Sequence, residues 1–299
     1  MALWTFRRNE NDVVNLYNTL SPVMQLATGG NMLNFGYWHK EDISPVNAQN
    51  RLCNKIGELA ELESANSLLD IGSGLSAPAI IWAKLYPDVN ISCLNINYIQ
   101  LQLAKKTIEE KTLNSMINGI NSTSTMLPFS TNSLERIIAL ESAQHFKPFH
   151  DFISESYRVL KKNGILTFAM PVIKNTSSVK KLGVLALTWS SEHYKQDFVV
   201  SKTTKKFKII KKIEIGHDVF EPLSDYYIKN RRRLRNNILT QYPSYVENLL
   251  FNASSRRDLY LLRNPYSNHN KTQTPKLMLI TLELFTNLPF TSLNIFCCR

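Results

Sequence analysis

The chain has 299 residues, of which 43% are hydrophobic and 10% aromatic, so it can form a substantial core. This composition excludes a disordered chain as the main state. Lysine and arginine outnumber aspartate and glutamate by 35 to 24, which gives a net charge of +11. The excess favours anionic partners, but the lysines are spread along the whole chain and define no single binding surface.

Cysteine spacing and apolar stretches indicate the setting in which the protein works. Cys53, Cys93, Cys297 and Cys298 lack the spacing of metal ligands, and a chain of this size does not need disulfide bonds. The longest apolar stretch, residues 276–290, is too short to span a bilayer, and the first residues lack the apolar run of a signal peptide. We therefore predict a cytoplasmic protein without a transmembrane segment.

The first elements in chain order are helices joined by a glycine-containing loop, and we interpret residues 1–60 as a helical lid segment. From about residue 66, short apolar runs alternate with stretches of helical periodicity. The predicted elements are a strand at 67–72, a helix at 77–85, a strand at 91–96, a helix at 98–111, strands at 120–125 and 136–142, a helix at 149–160 and a strand at 164–172. This alternation predicts a parallel sheet with right-handed crossovers.

The second half of the chain has a weaker pattern. Residues 207–216 and 276–285 are predicted strands, and residues 223–264 between them are rich in helix formers and aromatics. The fold class is therefore α/β, with a doubly wound, mostly parallel sheet, N-terminal helices and an inserted helical cap. The predicted division is a lid at 1–60, a Rossmann-like core at 61–220, a cap at 221–270, and the final strand with the C-terminus at 271–299.

A glycine-rich turn is the strongest local signal. Residues 68–76 read LLDIGSGLS, and Gly72 and Gly74 allow a tight turn and the close approach of a ligand at the carboxyl end of a strand. A dinucleotide site would need a third glycine, where this chain has Ala77 or Pro78. Asp70 would repel a pyrophosphate but suits a cofactor that carries an ammonium and a sulfonium. The alternative is an ordinary turn with a structural aspartate.

An acidic residue followed by Gly-x-Gly resembles the first motif of the class I methyltransferases, which bind S-adenosylmethionine. The resemblance extends to four further segments: SCLNINYIQL at 92–101, MLPFS at 126–130, LESAQHF at 140–146 and YRVLKKNG at 157–164. NMLNFGYW at 31–38 and, more loosely, IEIGHDV at 213–219 are similar to a narrower group. That group contains macrolide and indolocarbazole sugar O-methyltransferases and borders the sterol and tocopherol C-methyltransferases. The resemblance implies a seven-stranded Rossmann-like sheet.

The resemblance also implies a cofactor site for S-adenosylmethionine. Around the methionine moiety it places Asp70, Gly72, Ser73 and Gly74. Beside the ribose and adenine it places Asn95, Ile96, Gln100, Thr123 and Ser124, and above the cofactor it places Tyr17, Tyr37 and Trp38. Asn95 stands where many members have an acid, so a charge-assisted bond is lost, and Thr123 and Ser124 replace a common Asp-Ala pair. For Tyr37 and Trp38, aromatic core packing is an equal alternative.

Histidines supply the candidate proton acceptors. His145 follows a predicted strand at the rim of the cofactor site, and in the resembling sugar O-methyltransferases a histidine near this point is the proposed base. The alternative is a loop histidine bonded to backbone. His217 is a second-choice base, and Glu141 is predicted to hold the cofactor or its loop. No cluster of histidines, cysteines or carboxylates has metal spacing, so we expect metal-free catalysis.

A basic run, KNRRRLR at 229–235 around Arg231, lies in the predicted cap. One interpretation is a solvated helix face, and the other is attraction of an anionic acceptor, a membrane surface or a nucleic acid. No RNA-binding module flanks the core, which disfavours nucleic acid. Tyr226 and Tyr227, with Trp189 and Tyr194, indicate an apolar, aromatic acceptor pocket. The oligomeric state stays open, and a homodimer is one option.

The function that these signals favour is O-methylation of a small organic acceptor, either a natural product or a lipid-like molecule, with His145 as general base. The alternatives are a C-methyltransferase that acts on an isoprenoid or lipid and a non-catalytic protein with a vestigial cofactor fold. Methylation of a nucleic acid ranks below these. The pattern of the cap is the least regular part of the chain, so the sequence does not name the acceptor.

Overall fold

The computed structural model describes residues 9–39, 44–173, 194–251 and 292–299, with the backbone alone for 242–251. Seven strands form one sheet in the order β3-β2-β1-β4-β5-β7-β6. The strands are β1 (Ser67–Ile71), β2 (Asn90–Asn95), β3 (Ile117–Asn121), β4 (Leu134–Leu140), β5 (Leu160–Val172), β6 (Ile209–Glu214) and β7 (Ser292–Cys298). The first five are parallel, and β7 runs antiparallel to both β5 and β6. The predicted doubly wound, seven-stranded fold is therefore confirmed.

Seven α-helices accompany the sheet in the described ranges. They are α1 (Glu10–Thr28), α2 (Pro45–Leu59), α3 (Ala77–Leu85), α4 (Tyr98–Glu110), α5 (Phe149–Val159), α6 (Gln196–Thr203) and α7 (His217–Phe251). No helix in these parts of the chain combines the length and the apolar character that a bilayer crossing requires.

Apolar residues on both faces of the sheet explain why its central strands are buried. On one face, Leu52 and Ile56 of α2 pack with Trp82 of α3, and all three are fully buried. On the other face, Phe149 and Phe152 of α5 pack under the sheet in a second apolar cluster. Strands covered on both faces need near-continuous apolar sequence, which is the pattern that the predicted strands showed.

The termini of α1 have clear local causes. Asn9 caps the first turn in a capping box with Asp12: the Asn9 side chain accepts from the Asp12 amide at 3.1 Å, and Asp12 accepts from the Asn9 amide at 3.0 Å. Gly29 ends the helix in the left-handed region with φ of 78°. α1 packs against α7. The N-terminal helix is thereby held against the helix that follows the sixth strand.

Several boundaries differ from the sequence-based predictions, and three of these differences have a visible cause or consequence. β3 ends at Asn121 and not at residue 125, because the side chain of Thr123 accepts from the Thr125 amide and the chain turns there. β5 begins at Leu160 and takes in residues 161–163, which lie between the predicted helix at 149–160 and the predicted strand at 164–172; Lys161 there bonds Glu135 on the neighbouring strand at 3.0 Å. The seventh strand is Ser292–Cys298, and the predicted strand at 276–285 lies outside the described residues.

Candidate functional site

A cleft opens at the carboxyl ends of β1, β2 and β4 and is roofed by α1. Parallel α/β sheets bind ligands at this edge. Most of the residues that the sequence predicted for the site line this cleft: Tyr17, Asp70, Gly72, Ser73, Gly74, Asn95, Ile96, Gln100, Ser124, Glu141 and His145. The fold therefore brings these residues together, although they come from five separate parts of the sequence.

The glycine turn forms the floor of the cleft. Gly72 and Gly74 have φ of +73° and +56°, a region that side chains disfavour. The amide of Gly72 donates to the carbonyl of Leu94 at 2.7 Å, which ties the turn to the neighbouring strand β2. A Cβ on Gly72 would lie 2.5 Å from Cβ of Ser142, so this turn packs directly against the segment that follows β4.

Two buried carboxylates face the cleft. Asp70 is 2% exposed, burial raises its pKa to about 7, and its Oδ2 has no hydrogen-bond partner among the described residues. Burial likewise raises the pKa of Glu141 to about 8, against the opposing effect of the Phe35 amide, which donates to Oε2 at 2.9 Å. Oε1 of Glu141 likewise has no hydrogen-bond partner among the described residues. The site therefore offers two carboxylate oxygens to a donor or a cation.

The end of β2 carries an amide network rather than an acid. Asn95 donates from Nδ2 to the Gly74 carbonyl at 3.1 Å and to Oε1 of Gln100 at 2.8 Å. Its Oδ1 accepts from the Asn97 amide at 3.1 Å. Both hydrogens of Nδ2 are therefore committed to protein acceptors, and the amide oxygen retains the capacity to accept a second bond.

Polar side chains fasten α1 over the cleft. Asn97 donates from Nδ2 to Oδ1 of Asn18 at 2.8 Å, and Gln100 donates from Nε2 to Oγ of Ser21 at 2.9 Å. At the other end of the same roof, the Thr123 hydroxyl donates to the carboxylate of Glu10. These bonds connect the helix to the strand ends that form the cleft.

The histidine at the rim is held by a tyrosine from the roof. His145 closes a short 3₁₀ turn, Ala143–His145, whose last amide donates to the Ser142 carbonyl at 2.9 Å. Its Nε2 lies 3.0 Å from the phenol oxygen of Tyr17, and the two rings meet edge to face at 5.4 Å. Burial and then the charge of Glu141 raise the pKa of Tyr17, so the phenol stays protonated at neutral pH.

Three of the residues predicted to bind the cofactor do not line the cleft. Trp38 is buried against Tyr226 at 5.8 Å and donates from its indole to the Phe35 carbonyl at 2.9 Å. Tyr37 packs under the ammonium of Lys55 at 4.8 Å, next to α2. For this pair the structure shows aromatic packing, because the loop after α1 turns away from the cleft here. Thr123 lies beside the cleft, and its hydroxyl is engaged by Glu10.

The predicted acceptor-side residues also lie elsewhere. His217 is exposed at the start of α7, where Nδ1 lies 3.0 Å from Oε2 of Glu221, so the structure does not bring the second-choice base to the cleft. Tyr227 is buried in the core between α7 and α1, and burial raises its pKa. Tyr226 donates its hydroxyl to the Ala27 carbonyl at 3.3 Å. Trp189 lies outside the described residues.

The structure adds lining residues that the sequence analysis did not assign. They are Glu10, Val13, Val14, Asn31, Leu33, Asn34, Leu75, Pro78, Asn97, Ser122, Ser142 and Phe146, together with carboxyl-end strand residues. Asn31 and Asn34 belong to the NMLNFGYW segment. In that segment the sequence analysis assigned Tyr37 and Trp38 to the cofactor site, and not these two asparagines. Asn97 and Ser142 each follow a strand by two residues, so the position of polar side chains after strand ends could have found them.

Within the described residues, no three histidine, cysteine or carboxylate side chains are grouped to hold a metal ion. Cys53 is buried beside Met32, with the two sulfurs 3.5 Å apart, and Cys93, Cys297 and Cys298 are also buried.

The segment that carries this site is similar to known proteins. Residues 69–168 match the family model of a methyltransferase domain. Erythromycin 3''-O-methyltransferase of Saccharopolyspora erythraea is 26% identical over 164 residues, which cover 55% of this chain and 54% of that protein. Sterol 24-C-methyltransferase of Pneumocystis carinii is 33% identical over 106 residues, which cover 36% of this chain and 28% of that protein. The matched part of the chain thus spans about half the length of the first relative and less than a third of the length of the second.

Solved structures agree on the fold. The cyclopropane synthase MmaA2 of Mycobacterium tuberculosis superposes with a TM-score of 0.67 at 14% identity, covering 96% of this chain and 97% of that one. The geranyl diphosphate C-methyltransferase of Streptomyces coelicolor superposes with a TM-score of 0.63 at 10% identity, covering 96% of each chain. The matched segment, 69–168, contains the glycine turn, both buried carboxylates and His145. Residues 69–168 therefore match a methyltransferase domain, and the fold around them is shared with methyltransferases, whose class I members use S-adenosylmethionine as cofactor.

Proposed function

We propose that this protein transfers a methyl group from S-adenosylmethionine to a hydroxyl group of a small organic acceptor, with His145 as the general base. The observation that carries the proposal is the position of His145, which lines the same cleft as the glycine turn and is held there by Tyr17. A histidine imidazole ordinarily titrates near neutrality, so it can take a proton from a hydroxyl without a metal ion.

The residues of the cleft fit the cofactor. S-adenosylmethionine carries an ammonium and a sulfonium, and Asp70 and Glu141 each present a buried carboxylate oxygen without a partner in the described part of the chain. A cation beside these oxygens would favour their ionised forms and lower both pKa values. A pyrophosphate at the same place would meet two carboxylates and be repelled. Gly72 and Gly74 leave the backbone of the turn open to close approach.

The amide network would hold the nucleoside part. Oδ1 of Asn95 is the atom with capacity to accept from a ribose hydroxyl, since both hydrogens of Nδ2 are bonded to Gly74 and Gln100. Ile96 offers an apolar side chain to the adenine ring, and the hydroxyl of Ser124 can bond the adenine edge. The oriented amide of Asn95 thus stands where many class I methyltransferases have an acidic side chain.

When bound, S-adenosylmethionine supplies a methyl group made electrophilic by the positive sulfur. The chain's own part is to orient the acceptor, exclude water and remove the hydroxyl proton. α1 covers the cleft with Val13, Val14 and Tyr17, which limits the access of water. The bond and ring contact with Tyr17 hold the imidazole of His145 at the rim, where it accepts the proton.

Hydroxyl methylation is supported by relatives whose names state it, namely erythromycin 3''-O-methyltransferase and the 27-O-demethylrifamycin SV methyltransferase of Amycolatopsis mediterranei. C-methylation of an isoprenoid or lipid is the second candidate. A specific observation favours it: Glu141, Tyr17 and Phe146 line the cleft, and a carboxylate with aromatic rings stabilises a carbocation. Relatives named sterol 24-C-methyltransferase support the same candidate.

Two measurements test the proposal. Isothermal titration calorimetry with S-adenosylmethionine should show binding, and its absence at millimolar concentration would leave a non-catalytic protein with a related fold. A panel of hydroxylated polyketides, glycosides, sterols and isoprenoids, incubated with cofactor labelled in the methyl group, should then yield a product heavier by one labelled methyl. Fragmentation that places the label on carbon would replace O-methylation by C-methylation.

A further inference from the structure

The outward face of α7 carries an unusual combination of charge and apolar surface. Between Ile228 and Leu239 the chain has five cationic side chains and no acidic one. Ile228, Arg232, Arg235 and Leu239 follow each other at intervals of four, three and four residues, so they form one stripe along the helix. We call these four residues the outer stripe. All four are exposed, with Ile228 at 56% and Leu239 at 39%.

The opposite face of α7 fixes which way this stripe points. Tyr227, Leu234 and Ile238 are almost completely buried in the apolar core that α7 shares with α1. The outer stripe therefore cannot turn inward without exposing that core. Lys229, also exposed, flanks it. The stripe spans about 16 Å along the helix axis, at 1.5 Å per residue.

We propose that the outer stripe docks this protein on the surface of an anionic lipid bilayer. Charge complementarity favours this occupant, because a segment with five cations and no anion is attracted to acidic headgroups. The exposed aliphatic side chains at the two ends favour lipid over nucleic acid, since they can enter the acyl boundary while the arginines reach the headgroups. An ordinary solvated helix face mixes charges of both signs, as α7 does on the two preceding turns at Asp225 and Glu221, and needs no such aliphatic pair.

This docking goes beyond the proposed methyl transfer and does not depend on the identity of the acceptor. It would leave the roof of the cleft one helix behind the docked surface, because α1 packs on the opposite face of α7, where Tyr226 donates to the Ala27 carbonyl. α1 in turn contributes Tyr17 to the cleft.

Vesicle sedimentation tests the proposal with the full chain. The protein should bind vesicles that contain phosphatidylserine, should bind phosphatidylcholine vesicles much more weakly, and should be released by salt. Replacing both arginines of the stripe, Arg232→Gln with Arg235→Gln, should weaken binding to the anionic vesicles about 30-fold, at roughly fivefold for each cation near the surface. Ile228→Ser with Leu239→Ser should weaken binding while leaving the salt dependence in place.

A matched control variant distinguishes the effect of the outer stripe from the effect of the protein's net charge. Lys205→Gln with Lys208→Gln removes two exposed cations from the segment that precedes β6. This double variant should leave vesicle binding unchanged. Thermal unfolding checks that every variant stays folded. The proposal is overturned by equal binding of the unaltered protein to both vesicles, by unchanged binding of the arginine variant, or by an equal loss in the lysine control. Binding to duplex DNA without binding to anionic vesicles also overturns it.

Discussion

The phenol oxygen of Tyr17 lies 3.0 Å from Nε2 of His145, although 128 positions separate the two residues in the chain. Tyr17 lies on the roof helix α1, and His145 lies in the turn after β4. Their contact therefore joins the roof of the cleft to its rim. The proposed base is therefore oriented by the same helix that covers the site. The residue that closes the site and the proposed base are thereby in direct contact.

Removal of the phenol hydroxyl tests this coupling. Tyr17→Phe keeps the ring packed against His145 but deletes the hydrogen bond, so we expect kcat to fall about tenfold. The Kd for S-adenosylmethionine should change little, because the carboxylates and the glycine turn are untouched. Steady-state kinetics and calorimetry measure the two values. Tyr157→Phe, which removes an exposed hydroxyl, is the matched control, and an equal kcat for both variants would contradict a positioning role.

Loss of the imidazole tests general base catalysis. We expect His145→Ala to lower kcat on a hydroxyl acceptor by about 10²–10⁴-fold, with the Kd for the cofactor nearly unchanged. His150→Ala is the matched control, because His150 is exposed and pairs with Asp151. Turnover that survives in His145→Ala would instead favour C-methylation, in which no hydroxyl proton has to be removed.

The glycine turn predicts a difference between two similar substitutions. Gly74→Ala places a Cβ at an ordinary 3.4 Å from Leu33, so its cost should be the backbone strain alone, about 1–2 kcal/mol in the free energy of unfolding. Gly72→Ala adds a clash with Ser142 at 2.5 Å and should cost roughly 2 kcal/mol more. Urea denaturation measures both. Ser142→Gly in the Gly72→Ala background should recover part of the extra loss; no recovery would exclude the clash as its cause.

The buried carboxylates predict a pH dependence of stability without cofactor. Burial raises the pKa of Asp70 from 3.8 to about 7 and that of Glu141 from 4.5 to about 8. Between about pH 4 and 8 the folded protein thus retains protons that the unfolded chain has released, and the free energy of unfolding falls as pH rises. The upper limit is about 4–5 kcal/mol for each group.

Urea titrations at several pH values check this slope. Asp70→Asn and Glu141→Gln should each flatten it, because the amide has no proton to lose, whereas Asp88→Asn at an exposed position should not. Saturating S-adenosylmethionine should flatten it as well, since its cationic groups favour the ionised carboxylates. A slope that is identical in all variants would show that these carboxylates titrate in the fold as they do in the unfolded chain.

Local sequence determined the parallel strands of the sheet and the floor of the site. Buried strands and the turn at 68–76 are encoded by contiguous residues, because a run of apolar residues and two glycines act over a few positions. Asp70 and Gly72 therefore lie where the sequence placed them, at the end of β1. The same is true of Asn95, which ends β2, and of His145, which follows β4.

Only the tertiary structure decided what closes the cleft. Tyr17 and Trp38 are both aromatic residues of the N-terminal segment, yet Tyr17 faces His145 and Trp38 packs on Tyr226 of α7. No local pattern distinguishes them, because the direction of each ring depends on how α1 and α7 pack against each other and against the strand ends. His217 likewise could have faced the cleft from α7, and the helix instead directs it to solvent beside Glu221.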